Sequence, residues 1–119
     1  MKMNIVTPKS KQFAIRIIKL YKHLTEVKHE TIMSKQLLRC GTSIGANLFE
    51  SEHAQSESDF LHKNNIALKE ANETKYWLEL LRETEYITEK QFDSLMLDCL
   101  EINRLLAASI KTLKEKTNK

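Results

Sequence analysis

Residues 32–50 read IMSKQLLRCGTSIGANLFE, and this stretch decides the fold class. Apolar side chains recur in it at steps of three and four residues, the spacing that places them along one face of an α-helix. Gly41 and Gly45 lie one turn apart inside this helix, although glycine weakens a helix interior by about 0.5–1 kcal/mol relative to alanine. Such a pair predicts a place where a second helix packs closely. The apolar face consists of Ile32, Met33, Leu37, Cys40, Ile44 and Leu48.

The sequence before this stretch predicts a first helix over residues 8–26. Thr7 is expected to be its N-cap, with Pro8 in the first turn, where the missing N–H of proline costs nothing. Thr31 is expected to cap the second helix, because it directly precedes the apolar pattern. The first helix leaves Ile15 outside its apolar stripe, which consists of Phe13, Ala14, Ile17, Ile18, Leu20, Tyr21 and Leu24.

The sequence after residue 50 predicts two longer helices. Ser56 or Ser58 is expected to cap a third helix over residues 59–85. Thr88 and Gln91 have the spacing of a capping box, in which each side chain bonds the backbone N–H of the other residue, and they predict the start of a fourth helix. The stripes of these helices are Phe60, Ala67, Ala71, Thr74, Leu78 and Leu81, and then Phe92, Leu95, Met96, Cys99, Ile102, Leu106, Ile110 and Leu113.

Four amphipathic helices with short connections predict an all-α protein: an antiparallel up-down-up-down four-helix bundle, with residues 1–119 as a single domain. The composition agrees, because 2 Gly and 1 Pro are too few for a turn-rich β protein. No apolar run reaches the roughly 18 residues that span a membrane, and the first residues contain no apolar stretch of signal-peptide length. A cytoplasmic location is therefore expected.

The helices carry more apolar residues than one bundle core requires. Ile15 on the first helix and Leu97, Leu100 and Leu105 on the fourth lie outside the core stripes. If all four were exposed in a monomer, they would form a sizeable apolar patch, which soluble monomers rarely carry. We therefore expect these residues to be buried between the subunits of a homo-oligomer.

Positive charge is concentrated in the first third of the chain. Residues 1–40 contain nine Lys or Arg and two acidic residues, a net charge of +7, whereas residues 41–119 have a net charge of −4. Such a segment is typical of a surface that binds nucleic acid or another polyanion, although solvated helix faces can look similar. The candidate phosphate contacts, which have no aromatic ladder for base stacking among them, are Lys9, Lys11, Arg16, Lys19, Lys22, Lys28, Lys35 and Arg39.

A second polar pattern lies on the second helix, where Ser43, Asn47 and Glu50 follow one another at steps of four and three residues. Asn47 has apolar neighbours on its helix face and is expected to be partly buried. A buried polar group destabilises a protein by roughly 1–3 kcal/mol unless it is hydrogen-bonded. The pattern predicts a structural polar connection to the third helix or across an oligomer interface, with a ligand site as the alternative. The third helix offers as partners Asn64, Glu70, Asn72 and Glu73.

Catalytic and cofactor chemistry has little support in the sequence. The two cysteines, Cys40 and Cys99, lie in apolar stripes and lack the CxxC spacing of a metal or redox site, so both are expected to be reduced core residues. We expect no enzyme activity, no cofactor and no metal.

A remote alternative is a di-metal carboxylate bundle. Glu50 and His53, and likewise Asp59 and His62, have the i, i+3 spacing of a carboxylate–imidazole pair that can share one metal. Both pairs flank a charged turn, away from the middle of the predicted bundle. Solvated helix ends are therefore the competing interpretation.

Residues 38–50 resemble a bacterial family of four-helix bundle proteins. The family is encoded within intervening sequences of 23S ribosomal RNA genes and is related to the accessory variability protein of diversity-generating retroelements. Its pattern is Arg, small residues, then Ser-Ile-x-x-Asn-Ile-x-Glu. Residues 59–61 and 66–74 resemble the third helix of the family and residues 86–87 its turn, so the resemblance covers nearly the whole chain. The pattern is matched, with Leu48 in place of the second isoleucine, by Arg39, Ser43, Ile44, Asn47 and Glu50.

The resemblance implies a ring-like homopentamer and, in the retroelement relatives, a basic surface associated with binding of nucleic acid and of a reverse transcriptase. The chain departs from the family at residues 51–57, which read SEHAQSE where the family often has glycine and basic residues. This acidic loop cannot hold a phosphate by charge, so we expect the nucleic-acid surface on the first helix and the start of the second.

The sequence thus predicts a non-enzymatic, oligomeric protein that binds nucleic acid, structured RNA in particular. Contacts to phosphate groups without base stacking would recognise backbone and shape. The alternative is an interaction scaffold for a protein partner such as a reverse transcriptase.

Overall fold

The computed structural model describes residues 5–117, which contain four α-helices and no β-strand. The helices are α1 (Val6–Glu26), α2 (Met33–Ser51), α3 (Glu57–Glu83) and α4 (Glu89–Thr117). Each helix packs on two others: α1 and α3 both lie against α2 and α4. The predicted all-α four-helix bundle is therefore confirmed.

Contacts between neighbouring helices run in opposite sequence directions. Lys9 and Arg16 on α1 pair with Glu101 and Asp98 of α4, so the chain positions rise on one helix as they fall on the other. Neighbouring helices are thus antiparallel. The same reversal is present between α2 and α3 in the pairs Arg39–Glu73 and Glu50–Lys63.

The core consists mainly of the residues in the predicted stripes. Ile87, in the turn between α3 and α4, is buried as well and closes one end of the core. α3 contributes the small residues Ala67, Ala71 and Thr74 to the buried interior. The fully buried side chains include Phe13, Ile17 and Leu24 of α1, Leu37, Ile44 and Leu48 of α2, Ala67, Ala71, Leu78 and Leu81 of α3, and Ile102 and Leu106 of α4.

The helix ends of α3 and α4 follow their predicted caps. The Ser56 hydroxyl accepts a hydrogen bond from the backbone N–H of Asp59 at 3.0 Å, so α3 begins at Glu57, two residues earlier than expected. Thr88 and Gln91 form the predicted capping box, with donor–acceptor distances of 2.8 and 3.1 Å. At the other end, α3 stops at Glu83, and Glu85 adopts a left-handed conformation with φ of 67°.

The starts of α1 and α2 differ from the sequence prediction. α1 begins at Val6, so Thr7 lies inside the helix, where its carbonyl accepts a hydrogen bond from the Ser10 hydroxyl at 2.7 Å. α2 begins only at Met33. Ile32 therefore lies outside the helix and is 77% exposed instead of joining the core, and Thr31 is exposed without capping the helix.

The carboxylate of Glu30 caps α2 instead. Its oxygens accept hydrogen bonds from the backbone N–H groups of Ile32, Met33 and Ser34 at 3.2, 3.0 and 2.7 Å. Glu30 is buried, which alone would raise its pKa, but the hydrogen bonds from these backbone groups and from Ser34 outweigh burial and hold the pKa below its ordinary value of 4.5. His29, with φ of 56°, supplies the left-handed turn that precedes it.

α1 and α2 lie close together at the two glycines. A Cβ added at Gly41 would lie 3.0 Å from both Cγ1 and Cγ2 of Ile17, a buried side chain of α1. A Cβ at Gly45 would have more room, with Ser10 Oγ at 3.3 Å and the Ser10 carbonyl oxygen at 3.4 Å. The close helix approach predicted from the glycine spacing is confirmed.

Replacing Glu30→Gln should lower the free energy of unfolding by about 1–2 kcal/mol at pH 7, because the negative acceptor at the start of α2 is lost. Since folding lowers the pKa of Glu30, its stabilising contribution is present above the ordinary carboxyl pKa and is lost as the pH falls through the folded-state value. In urea unfolding, the difference in the free energy of unfolding between wild type and Glu30→Gln should therefore shrink below about pH 4. The exposed Glu79→Gln serves as a control, and an equal loss in both variants would contradict the capping role.

Replacing Gly41→Ala should lower the free energy of unfolding by about 1–3 kcal/mol, because the new methyl group overlaps a β-branched core side chain that cannot move aside. The gain in helix propensity, at most about 1 kcal/mol, is smaller. Gly45→Ala, with its wider spacing, is the matched control and should be closer to neutral. Thermal unfolding followed by circular dichroism distinguishes the two, and a Gly41→Ala protein more stable than wild type would refute the overlap.

Candidate nucleic-acid interface

Three of the eight predicted phosphate contacts form ion pairs within the protein. Lys9 Nζ lies 2.8 Å from Glu101 Oε1, and Arg16 Nη1 lies 2.6 Å from Asp98 Oδ2. Arg39 donates to a carboxylate pair on α3, described below. The other five side chains are exposed and form no ion pair with any residue from 5 to 116. They are Lys11, Lys19 and Lys22 on α1, Lys28 after its end, and Lys35 on α2.

Arg39 connects α2 to α3. Its guanidinium donates to Glu70 at 3.1 Å and to Glu73, whose carboxylate also accepts from the Trp77 indole N–H at 3.0 Å. The hydrogen bonds from Trp77 and Arg39 lower the pKa of Glu73, and the bond to Glu73 raises the pKa of Arg39. Two carboxylates therefore offset the charge of Arg39, so it adds less to the positive potential than the five exposed lysines do.

The residues of the polar pattern on α2 make two kinds of contact, one within α2 and one to α3. Asn47 is half-buried, and its amide donates to the Ser43 carbonyl oxygen at 2.8 Å, inside the same helix. Glu50 accepts from Lys63 of α3 at 2.9 Å, a bond that raises the pKa of Lys63. Glu73, as described, accepts from Arg39. Charged pairs thus join α2 and α3 at two levels, and the ligand-site alternative for these residues stays a prediction.

Asn64 of α3 is completely buried but bonds to none of the residues of the α2 pattern. Its amide donates to the Phe60 carbonyl oxygen at 2.8 Å, while its Oδ1 finds no hydrogen-bond partner among the described residues. A buried unsatisfied oxygen destabilises the fold by about 1–3 kcal/mol, so the third helix contains one costly polar position in its core stripe.

The residues of the di-metal alternative lie at the exposed turn between α2 and α3. Glu50 is engaged by Lys63, and the His53 ring packs against Phe49 with a centroid separation of 5.4 Å. His62 is exposed. Among the residues that the structure describes, no three His, Cys, Asp or Glu side chains are arranged to hold a metal ion.

Both cysteines are free and buried, as the sequence predicts. Thr74 Oγ1 donates to Cys40 Sγ at 3.3 Å, and Cys99 Sγ lies 3.5 Å from the Ala71 carbonyl oxygen. Burial raises the pKa of both thiols, that of Cys99 to about 12. Neither thiol is ionised near neutral pH, so both act as small core residues.

The expected apolar patch is only partly exposed. Leu97 and Leu100 on α4 are 70% and 48% exposed, and Ile15 on α1 is exposed as well. Leu105 is half-buried and packs against the core, which corrects the prediction that it lies outside the core. Ile18, assigned to the core stripe of α1, is exposed instead, because it lies beyond the edge of the face that meets the other helices.

An apolar groove lies between α1 and α2, which the hydrophobic pattern did not reveal. Phe49 is 63% exposed and stands at its edge. The groove has a volume of about 400 Å³, and its walls include Pro8, Ala14 and Ala46. Lys11 and Glu52 contribute one charge of each sign, so the groove as a whole is nearly neutral.

The seam between α1 and α4, the most sparsely packed of the four helix pairs, has two grooves of different charge. Near the start of α1, a groove of about 290 Å³ is lined by Lys9, Gln12, Asp98 and Glu101 together with Pro8 and Ile102. Further along, a groove of about 370 Å³ is lined by Arg16, Lys19, His23 and Gln91 over a floor of Leu20 and Leu95. We call this second set of six residues the basic groove.

His23 and Gln91 are members of this basic groove that the sequence prediction omitted. A signal for His23 was present, because it follows Arg16 by seven residues and Lys19 by four, which places all three on one helix face. Gln91 lies 68 positions later than His23, at the start of α4, and only the packing of α4 on α1 brings it to the groove. Within residues 5–117, no helix is long and apolar enough to cross a membrane.

Comparison with known proteins relates the chain to one protein family and one solved structure. The sequence profile of the 23S rRNA-intervening sequence proteins matches residues 2–108. A crystal structure of a protein of unknown function from the S23 ribosomal protein family of Bacteroides thetaiotaomicron is similar over 90% of this chain and 96% of that chain, with 60% sequence identity and a TM-score of 0.89. No curated protein matches the chain.

Proposed function

Because the chain belongs to the family of 23S rRNA-intervening sequence proteins, we propose that it is a non-enzymatic, cytoplasmic protein that binds nucleic acid, structured RNA in particular, as a closed homo-oligomer. The observation that carries the proposal is the set of five exposed lysines on α1, the α1–α2 connection and the start of α2, none of which forms an ion pair with a residue from 5 to 116. Phosphate groups are the ligand that such a set attracts, since each contact releases a condensed counterion.

The chemistry of the described side chains supports binding over catalysis. The two thiols are buried and protonated, and the histidines His23, His29, His53 and His62 are exposed. The lysines have no aromatic ladder beside them, so recognition would depend on the nucleic-acid backbone and its shape, with little preference for sequence.

Assembly is supported by exposed apolar residues on two different helices. Leu97 and Leu100 lie on the outer face of α4, and Ile15 on the outer face of α1. A contact between the α4 face of one subunit and the α1 face of the next would be heterologous, and heterologous contacts that close produce rings. The homopentamer that the family resemblance implies is such a ring. Lys11 and Lys19, four residues on either side of Ile15, would border each contact, and the ring would repeat the exposed lysines of the subunit and raise avidity.

A second candidate function is that of a protein-interaction scaffold. The observation that favours it is the groove between α1 and α2, where Phe49 is exposed beside apolar walls. Exposed aromatic residues are enriched in protein interfaces. A partner of this kind would bind with little dependence on salt, in contrast to a nucleic acid.

The salt dependence of binding tests the nucleic-acid function. Anisotropy of a fluorescently labelled RNA hairpin should show binding that weakens steeply between about 50 and 200 mM salt, with a slope of log Kobs against log[salt] of roughly −3 to −5 if most of the five lysines contact phosphate. A labelled neutral peptide serves as the control for non-specific adsorption. Absence of binding at the lowest salt concentration would refute the proposal.

The assembly is tested by Leu97→Glu combined with Leu100→Glu. Because both side chains are exposed in the subunit, the variant should remain helical by circular dichroism but become a monomer in light scattering, and its RNA affinity should fall by about tenfold or more through loss of avidity. Leu105 is unsuitable for this test since it packs on the core.

The matched control introduces the same two carboxylates on α3, by Asn65→Glu with Asn72→Glu, which are both exposed. A wild-type protein that is monomeric at micromolar concentration would refute the assembly. A monomeric leucine variant with unchanged RNA affinity would refute the avidity alone.

A further inference from the structure

We propose that the basic groove between α1 and α4 holds one phosphodiester strand of a bound nucleic acid, and that this groove is the main binding path among the basic surfaces of the subunit. This inference rests on the proposed nucleic-acid function and specifies where the strand lies. The groove is concave, has a volume of about 370 Å³, and presents the three basic side chains Arg16, Lys19 and His23 with the amide of Gln91 opposite them.

The change of charge along the seam selects this half for a polyanion. Asp98 and Glu101 line the groove near the start of α1, whereas the lining of the basic groove contains no carboxylate. Lys9, the one basic residue in the acidic half, is already paired with Glu101. Because Asp98 and Glu101 are both ion-paired, the first half of the seam is close to neutral, and a phosphate chain is attracted mainly to the other half.

Arg16 stands at the border between the two halves in a fixed position. It donates from Nη1 to Asp98 Oδ2 at 2.6 Å and to the Ser94 carbonyl oxygen at 3.3 Å, and from Nη2 to Ser94 Oγ at 2.8 Å. A guanidinium has five N–H donors, so two remain for a ligand. Because the side chain is already held, little conformational entropy is lost when a phosphate oxygen accepts from it.

The spacing of the basic residues suits successive phosphates of one strand. At 1.5 Å per residue, Lys19 lies about 4.5 Å along α1 from Arg16, and His23 about 6 Å beyond Lys19. These steps are similar to the separation of neighbouring phosphates in a nucleic-acid strand. The floor of the groove is aliphatic, formed by Leu20 and Leu95, and the only ring among the described residues that line it is the His23 imidazole, so contacts to the backbone are favoured.

The basic groove continues into a second cavity at the end of the bundle. This cavity, of about 540 Å³, shares His23 and Gln91 with the groove. Its other charged residues are two cations, Lys28 and Arg82, and two carboxylates, Glu85 and Glu89. Arg82 lies 3.9 Å above the Phe92 ring, and Glu89 partly offsets its charge at 3.7 Å. The strand would therefore leave the groove past Lys28, the exposed cation of this cavity that has no ion pair within residues 5–116.

The test compares two double variants that each remove two exposed lysines. Lys19→Gln with Lys28→Gln removes charge from the proposed path, whereas Lys11→Gln with Lys35→Gln removes the same charge from the α1–α2 side. With labelled single-stranded RNA and a duplex of the same sequence as separate probes, the path variant should bind about tenfold more weakly at low salt. Its salt slope should be less steep by roughly 1.5 to 2, while the control variant, which removes two of the weaker phosphate contacts, should lose no more than about threefold in affinity.

Lysine acetylation followed by mass spectrometry gives a second measurement on the wild-type protein. Bound RNA should protect Lys19 and Lys28 more strongly than Lys11 and Lys35. Equal affinity losses in the two double variants, a larger loss in the control, or protection of Lys11 and Lys35 alone would overturn the groove and leave the nucleic-acid function standing. Absence of wild-type binding to both probes at low salt would overturn both. Whichever probe binds more tightly, the single-stranded RNA or the duplex, is the form of nucleic acid whose strand occupies the groove.

Discussion

The close contact of α1 with α2 at Gly41 is the constraint on which the rest of the bundle depends. Because Gly41 has no side chain, the backbone of α2 can lie close to the Ile17 side chain of α1. A Cβ at this position would lie only 3.0 Å from Cγ1 and Cγ2 of Ile17. Ile17 is completely buried and belongs to the face of α1 that meets both neighbours. Because one face of α1 is held against its neighbours, the opposite face must point to solvent. Lys11, Lys19 and Lys22 lie on that outer face and are exposed.

The helices themselves could be predicted from the sequence because their signals are local. A period of three and four residues is enough to identify Phe13 or Leu78 as core, and the spacing of Thr88 and Gln91 is enough to identify a cap. The cap at Glu30 could not be found this way. It depends on a left-handed turn at His29 that brings a side chain from outside the helix back to three backbone N–H groups. The errors at Ile18 and Leu105 have a similar cause. Ile18 was predicted to lie in the core but is exposed, and Leu105 was predicted to lie outside the core but packs against it, because the neighbouring helices decide which edge of an apolar stripe is covered.

The candidate site was less predictable, since its charges interact over long sequence distances. The eight basic residues could be counted in the sequence, but the partners of Lys9, Arg16 and Arg39 lie between 31 and 92 positions away, on α3 and α4. A charge count of the first 40 residues therefore overstates how much positive charge is free. It also omits His23 and Gln91, which become neighbours only through the α1–α4 seam.

The order of the helices has a consequence for how the chain folds. Three of the four helix pairs join consecutive helices, and only α1 on α4 closes the bundle across the length of the chain. Proteins dominated by such sequence-local contacts fold rapidly, because little loop entropy is lost before each contact forms. The α1–α4 seam is also the most sparsely packed pair. The backbones of α1 and α4 thus come close at fewer positions than those of the other three pairs, and the basic groove lies along this seam.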